Sequence, residues 1–472
     1  MLQDFTSLKY IEQPGNIDMI SGPISYTRFK ILVGDEVLKE IEIFGDSHWS
    51  QEGNCTDEGE NCIYLSNKKG EQNYIIEEKN ANCVDISVYL GYAILEAHKN
   101  NKFTDIFMES RQQEQGRLSY VTHYTNPIWT AGYLIKTEAF LRSCGSTINR
   151  SVLCQDSPNG ERNWARVHSG DIREEGMLSV FVENLLNSLN ISKFNDFNIR
   201  SKAIETLAYL LDNVEEFLQA FTKENISSAM RDVFKPFYDK IFSKIVLKSP
   251  AEKKQYMERN YPFIDLLMKE FNLGYKGSTM FSRREHGSLM LTRTINVDEG
   301  QQQERVLTHR VGKTYSKLQT IKDQYQPYEL PHIMISSYEK FVSHLGRNVK
   351  KEIQDVIRFY VEIENNADAG SLLALRELTE GMLIHLFADL YDVYSIGRMI
   401  SYPESERIIY FAGDHHCDTL KRFIMKYLLP ELSKSKLIEY NLVREVNISR
   451  KSKGEENVRC MRTSENITNE RF

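Results

Sequence analysis

Two apolar runs, Ile41–Phe44 near one end of the chain and Ile408–Ala412 near the other, each lead into Gly-Asp and reach a histidine two residues after the aspartate. The two segments read Gly45-Asp46-Ser47-His48 and Gly413-Asp414-His415-His416. With 25 glycines and 11 histidines in 472 residues, Gly-x-x-His is expected roughly 0.6 times by chance. Requiring the aspartate lowers two matches to about one in a thousand or less. Short apolar runs bounded by glycine read as buried strands. In open α/β sheets, ligands sit outside the carboxyl ends of the strands. The fold must therefore bring opposite ends of the chain into one sheet, with both turns on the same edge.

The segments between them fit that requirement. Ser25 to Leu38 alternates around Gly34-Asp35, which predicts a β-hairpin. Residues 49–82 are polar and acidic, with Gly53, Gly59 and Gly70, and read as a long loop of the kind that often carries function. Asp85 is placed to cap a helix running to about Asn100, with Val88, Leu90, Ala93, Ile94 and Ala97 on its apolar side. Phe103–Met108 reads as a strand ending in Glu109-Ser110. Ala165–Ile172 reads as another strand, and a helix is expected over 176–189. From about Asn198 the periodicity becomes helical, as at Ile204, Leu207, Leu210 and Leu211. Helices are also expected over 350–366 and 370–399, and Asp418 is placed to start another, Thr419–Leu429, with Pro430 past its last turn. Leu437–Val446 reads as a closing edge strand.

This alternation predicts an α/β fold with a mostly parallel sheet, flanking helices and a large helical insertion. The organisation read from it is 1–195 and 346–449 as the two parts of the α/β domain, 196–345 as the mostly helical insertion, and 450–472 as a polar, disordered tail.

Charge and composition narrow the function. A net charge of −7, with 41% hydrophobic and 26% charged residues, describes a soluble globular chain and not a nucleic-acid-binding one. No apolar stretch approaches the ~20 residues that cross a bilayer, and Met1–Ile20 lacks the pattern of a signal peptide. The expected location is cytoplasmic, with the seven cysteines reduced. The six Asn-x-Ser/Thr sites carry little weight without a secretion signal. Oligomeric state is open.

The chemistry-bearing residues follow from the strand ends. Histidine offers a metal a neutral imidazole nitrogen, or shuttles a proton near neutral pH. His48 and His416 are the leading metal ligands or acid–base residues, with His415 competing for the second place. Glu109, also at a strand end, completes a carboxylate-plus-two-histidine set suited to a catalytic divalent metal such as Mn, Co or Zn. The metal's bound water would attack a carbonyl or phosphoryl centre. Asp46 and Asp414 either join the metal, orient the imidazoles, or only shape their turns. Gly45 and Gly413 let the backbone leave each strand sharply. A second cluster, Arg166, His168 and Arg173, reads either as a substrate-contacting strand or as a solvated edge strand. Cys417 has no neighbour that would lower its thiol pKa, so no cysteine nucleophile is expected.

These motifs resemble the Tiki/TraB and erythromycin-esterase/ChaN-like superfamily, on the segments IEIFGDSHWS (41–50), FTDIFMES (103–110) and IIYFAGDHHCDTLKRFI (408–424). In that superfamily an arginine-bearing helix precedes the last strand. Here DVYSIGRMI (392–400) does so, which makes Arg398 the corresponding candidate for stabilising an anionic transition state. The resemblance implies an α/β fold with helical insertions and metal-dependent peptide cleavage or ester cleavage, while ChaN-like members are linked to haem. The chain departs from it at Met399, where Tiki-like proteins usually carry asparagine, and at Asp46, where erythromycin esterases carry glutamate. The richness in Lys, Asn, Ile and Tyr resembles that of large DNA-virus proteins, for which the location would be a virion or a host cytoplasm.

The leading expectation is a metal-assisted hydrolase acting on a small-molecule or peptide substrate. One alternative is a non-enzymatic structural or binding protein that keeps the fold. The other is a phosphohydrolase like the metallophosphoesterases, for which Asp46-x-His48 fits the opening motif but the later Gly-Asn-His and Gly-His-x-His motifs are missing.

Overall fold

The computed structural model describes residues 19–46, 62–67, 74–77, 80–111, 165–171, scattered positions within 205–240, 249–260, 313–363, 369–435, 439–449 and 460–462. The chain divides into two units, Met1–Asp171 with Gln326–Met334 and Tyr402–Phe472, and Ile172–Tyr325 with Ile335–Ser401.

The first unit is organised by a six-stranded sheet. Strands β2 (Ser25–Val33) and β3 (Glu36–Asp46) form the expected hairpin. Gly34, in the loop between them, takes φ +58°, a left-handed conformation that costs glycine little. Every residue of β3 from Lys39 to Asp46 is buried, as in a strand covered on both faces. The late strand β9 (Arg407–Gly413) lies parallel beside it, with Glu40 opposite Arg407 and Asp46 opposite Gly413. On the far side of β9 come β7 (Thr104–Arg111) and β8 (Ala165–Asp171), both parallel. β10 (Tyr440–Ser449) closes the hairpin side against β2. The order is β10-β2-β3-β9-β7-β8.

The sheet is mixed, with three of its five strand pairings parallel and two antiparallel. The hairpin side is antiparallel, because a two-residue loop can only reverse the chain. The β3-β9-β7-β8 side is parallel.

A second sheet of the same unit has the order β11-β1-β6-β4-β5. Two of its strands, β4 (Cys62–Asn67) and β5 (Tyr74–Glu77), fall within 49–82, which the sequence predicts to be loop, and a third, β6 (Asn80–Asp85), begins in it. A fourth, β11 (Cys460–Arg462), pairs with β1 (Met19–Ser21) and falls in the expected tail. Polar composition hid these strands. Helix α1 (Ile86–Asn100) follows β6 and buries Leu90, Ala93, Ile94 and Ala97 as anticipated. Asn101 at φ +53° and a bond from the Lys102 N–H to the Ala97 carbonyl (3.0 Å) stop it, in the manner of a Schellman cap.

In the second unit the described residues are helical. They include α2 (Pro250–Asn260), a helix over 313–324, most of α3 (Leu330–Ile363) and α4 (Ala369–Ile400). Helix α3 runs unbroken through position 345. It buries Tyr338, Phe341, Val342, Leu345, Val349, Ile353 and Val356, a spacing that keeps one face against a core. Tyr338 donates its hydroxyl to the Val393 carbonyl (2.7 Å). The same ring fills the space where a Cβ on Gly397 would stand, so α3 and α4 approach closely there. Burial pushes the Tyr338 hydroxyl far above its usual range. Among the described residues no helix is long and apolar enough to cross a membrane.

Candidate functional site

The register of the parallel strands sets the site. Asp46 lies opposite Gly413, and Met108 of β7 lies opposite Phe411 of β9. The carboxyl ends of β3, β9 and β7 therefore bring Gly45-Asp46, Gly413-Asp414 and Glu109 to one edge of the sheet, where α/β proteins bind ligands.

The second Gly-Asp-x-His segment is not a free turn. Helix α5 (Asp414–Phe423) begins directly at the strand end, with Gly413 as its N-cap. The sequence places this helix start at Asp418. The true start is four residues earlier because the first-turn backbone is secured without a capping side chain of its own. Glu109 supplies one such bond, accepting the Gly413 N–H on Oε2 at 2.8 Å. Its other oxygen, Oε1, lies 3.3 Å from His416 Nε2, and each side chain is only 6% exposed. The helical start also separates the competing histidines, since consecutive residues differ by about 100° around the axis. His416 is buried and His415 is exposed.

Asp414 points elsewhere. Its Oδ1 accepts a buried hydrogen bond from Ser25 Oγ (2.5 Å), at the start of β2. Gly45 lies between them. A Cβ there would collide with Ser25 Oγ and stand 2.5 Å from Asp414 Oδ1. Asp46 is also buried, at 1% exposure. Cys417 donates its thiol to the Phe44 carbonyl (3.2 Å), and burial pushes its pKa well up, which suits a structural thiol and not a nucleophile.

His48 and Arg173 lie outside the described residues. Arg398 is in the last turn of α4, in the second unit, with Nη1 3.5 Å from Thr314 Oγ1. Among the described residues no group of three His, Cys, Asp or Glu side chains is arranged to hold a metal ion. Glu109 and His416 supply two donors. His48, the third donor that the sequence suggests, lies outside the described residues.

Arg166 and His168 are not solvated edge charges. Both converge on Asp105 of β7, whose side chain is fully buried. Arg166 forms a two-pronged pair with it, at 2.6 Å for each prong, and His168 Nε2 lies 2.7 Å from Oδ1. The His168 ring stacks on Phe107 and tilts against Tyr402, with centroids at 4.5 and 4.8 Å. The Arg166 guanidinium lies 4.3 Å from the centre of the Tyr402 ring. Burial alone would raise the Asp105 pKa, but the hydrogen bonds and charges of His168 and Arg166 outweigh it and hold the carboxyl well below its usual range. Asp105 precedes Glu109 by four residues, roughly 13 Å along the strand.

A second ionic cluster gave no signal in the sequence. Glu42, buried in the middle of β3, accepts from the Tyr26 and Tyr89 hydroxyls and from Arg407 Nε and Nη2, at 2.6–2.8 Å. Arg407 also reaches Glu96 (2.9 Å). Burial would raise the Glu42 pKa, but Arg407 and the tyrosine hydroxyls bring it below the usual value. These side chains, with Arg28 and Glu40, line a cleft of about 270 Å³. Nearby, Lys39 is buried and donates to the Ser405 carbonyl. Burial lowers its pKa to about 8. Alternation along β3 reads Glu42 as solvent-facing, between Ile41 and Ile43, and its partner Arg407 lies 365 residues away.

Comparison of the chain with protein-family models, with curated proteins and with solved structures gave no match.

Proposed function

We propose that this protein is a hydrolase of ester or peptide bonds, centred on Glu109 and His416. The observation that carries this reading is their 3.3 Å contact, buried at the carboxyl ends of parallel strands. A histidine held by a carboxylate is the usual pairing for general base catalysis. A neutral ring carrying its proton on Nε2, the nitrogen nearest Glu109, has Nδ1 as its basic nitrogen. His416 takes a proton from water as the water oxygen bonds to the substrate carbonyl carbon. It returns the proton to the leaving alcohol or amine as the C–O or C–N bond breaks. Glu109 fixes the ring and stabilises the imidazolium. The contact is longer than a normal hydrogen bond, as catalytic contacts often are before substrate binds.

Metal-assisted attack is the other form of the same reading and is supported by the motif resemblance. The described residues provide two donors, Glu109 and His416, and no group of three. Manganese, cobalt or zinc would enter with His48 as the third donor.

The test is turnover of an ester and peptide panel by the full chain, after chelator treatment and after repletion with each metal. Glu109→Gln and His416→Ala are each expected to lose about 10²–10⁴ in turnover. Unchanged turnover in both variants rejects the reading. Loss of bound metal in His48→Ala, measured by elemental analysis, decides for the metal form.

A further inference from the structure

We propose that Ser25 is a positioning residue for the strand-end site, setting the roll of α5 and so the direction in which His416 faces. This rests on the hydrolase reading for its consequence, but not for its geometry. Asp414 and His416 are two residues apart in the first turn of α5, so their side chains leave the helix about 200° apart. Asp414 is held from the β2–β3 side by Ser25 Oγ at 2.5 Å, in a buried bond. His416 meets Glu109 from the β7 side at 3.3 Å. Strand β9, which feeds the helix, lies between β3 and β7.

The helix start is thus gripped from opposite sides, and slack on one side becomes rotation on the other. The Gly413 N–H on Glu109 and the Cys417 thiol on the Phe44 carbonyl also anchor the helix start. Cys417 leaves the helix about 60° from Asp414, on the same side as the Ser25 bond, but a thiol is a weak donor, which leaves the hydroxyl–carboxylate bond the stronger hold on that side. Gly45 belongs to the same device. Only a residue without a Cβ lets Ser25 Oγ and Asp414 Oδ1 meet over the end of β3. This gives the glycine of the first Gly-Asp-x-His segment a task at the second segment.

The test uses the full chain with ¹⁵N-labelled histidine, reading the ring resonances at one fixed pH, with His416 assigned through His416→Asn. Ser25→Ala is expected to move the His416 resonances and leave those of His332 and His385 in place. It should lower kcat between about tenfold and 100-fold, with KM within about twofold, because a displaced catalytic group costs rate more than binding. Ser25→Thr keeps the hydroxyl and should restore both. Gly45→Ala, which brings a methyl within 2.5 Å of Asp414 Oδ1, should move the same resonances and stands in should Ser25→Ala fail to fold.

Unmoved His416 resonances in both Ser25→Ala and Gly45→Ala overturn the proposal. So does a Ser25→Thr chain that behaves like Ser25→Ala. If the wild-type chain turns over no substrate, the hydrolase reading falls and the resonances still decide the role of Ser25 in the roll of α5.

Discussion

Glu42 and Glu109 are both buried carboxylates on central strands of one sheet, yet their surroundings differ. Glu42 is gripped by two tyrosine hydroxyls and two prongs of a guanidinium fork, all within 2.8 Å. Glu109 meets a backbone N–H at 2.8 Å and an imidazole at 3.3 Å. The first arrangement cancels a buried charge with short bonds to rigid groups, the economical solution where nothing has to change. The second leaves an imidazole in looser contact with its carboxylate, at the strand ends where α/β proteins bind ligands. On the hydrolase reading proposed above, the short and numerous bonds belong to the site that holds and the longer histidine contact to the site that reacts.

Mutation can break that contrast. The largest effect expected is the loss of about 10²–10⁴ in turnover in Glu109→Gln and His416→Ala. The thermal midpoint should fall far less in these variants than in Arg407→Met, and the reverse ranking in a melting series would erase the distinction. Arg407→Met strands Glu42 without its cation, at a cost of about 3–5 kcal/mol in urea unfolding.

Asp105 offers a pH test of the holding type. Its folded pKa lies below its unfolded value. The stability it contributes is therefore complete above the unfolded pKa, about 3.9, and is lost as pH falls toward the folded value. The gap in urea midpoint between wild type and Asp105→Asn should shrink as pH drops from about 5 to 3. A constant gap would show that the carboxylate charge does no holding.

Lys39 gives the smallest effect and the opposite slope. With a folded pKa of about 8, against about 10.4 unfolded, the unfolded chain binds more protons between those values. Wild-type stability should then rise relative to Lys39→Met as pH climbs from about 8 to 10. A flat difference would place the amine in water.

Much of this site is legible in the sequence. The apolar runs of β3 and β9 ending in Gly-Asp, and Glu109 near the end of β7, come from patterns of a few neighbouring residues, which local physics governs. The start of α5 does not. Asp418 looks like a helix cap, but backbone bonds to groups far away in sequence, such as Glu109, let the helix begin at Asp414. Pro430 misleads in a similar way. The helical path continues from α5 through a π-helical stretch (Ile424–Leu428), and the proline falls in the first turn of α6 (Leu429–Lys434), where its missing N–H costs nothing. Ser25 is invisible, since one serine at a strand start has no period and its partner is 389 residues distant. The grip of Asp105 on Arg166 and His168 is hidden for the same reason. Strands β4, β5 and β11 lack the apolar alternation from which a strand is read.

The place of β9 has a consequence for how the chain is made. It slots between β3 and β7, both of which leave the ribosome about 300 residues or more before it. At 5–20 residues per second the wait from Asp46 to Arg407 is roughly 20–70 s. Until then two apolar strands have open edges able to zip onto another nascent chain. A product halted near residue 400 would keep those edges permanently, so premature stops late in the message should give aggregates and not a shortened folded protein.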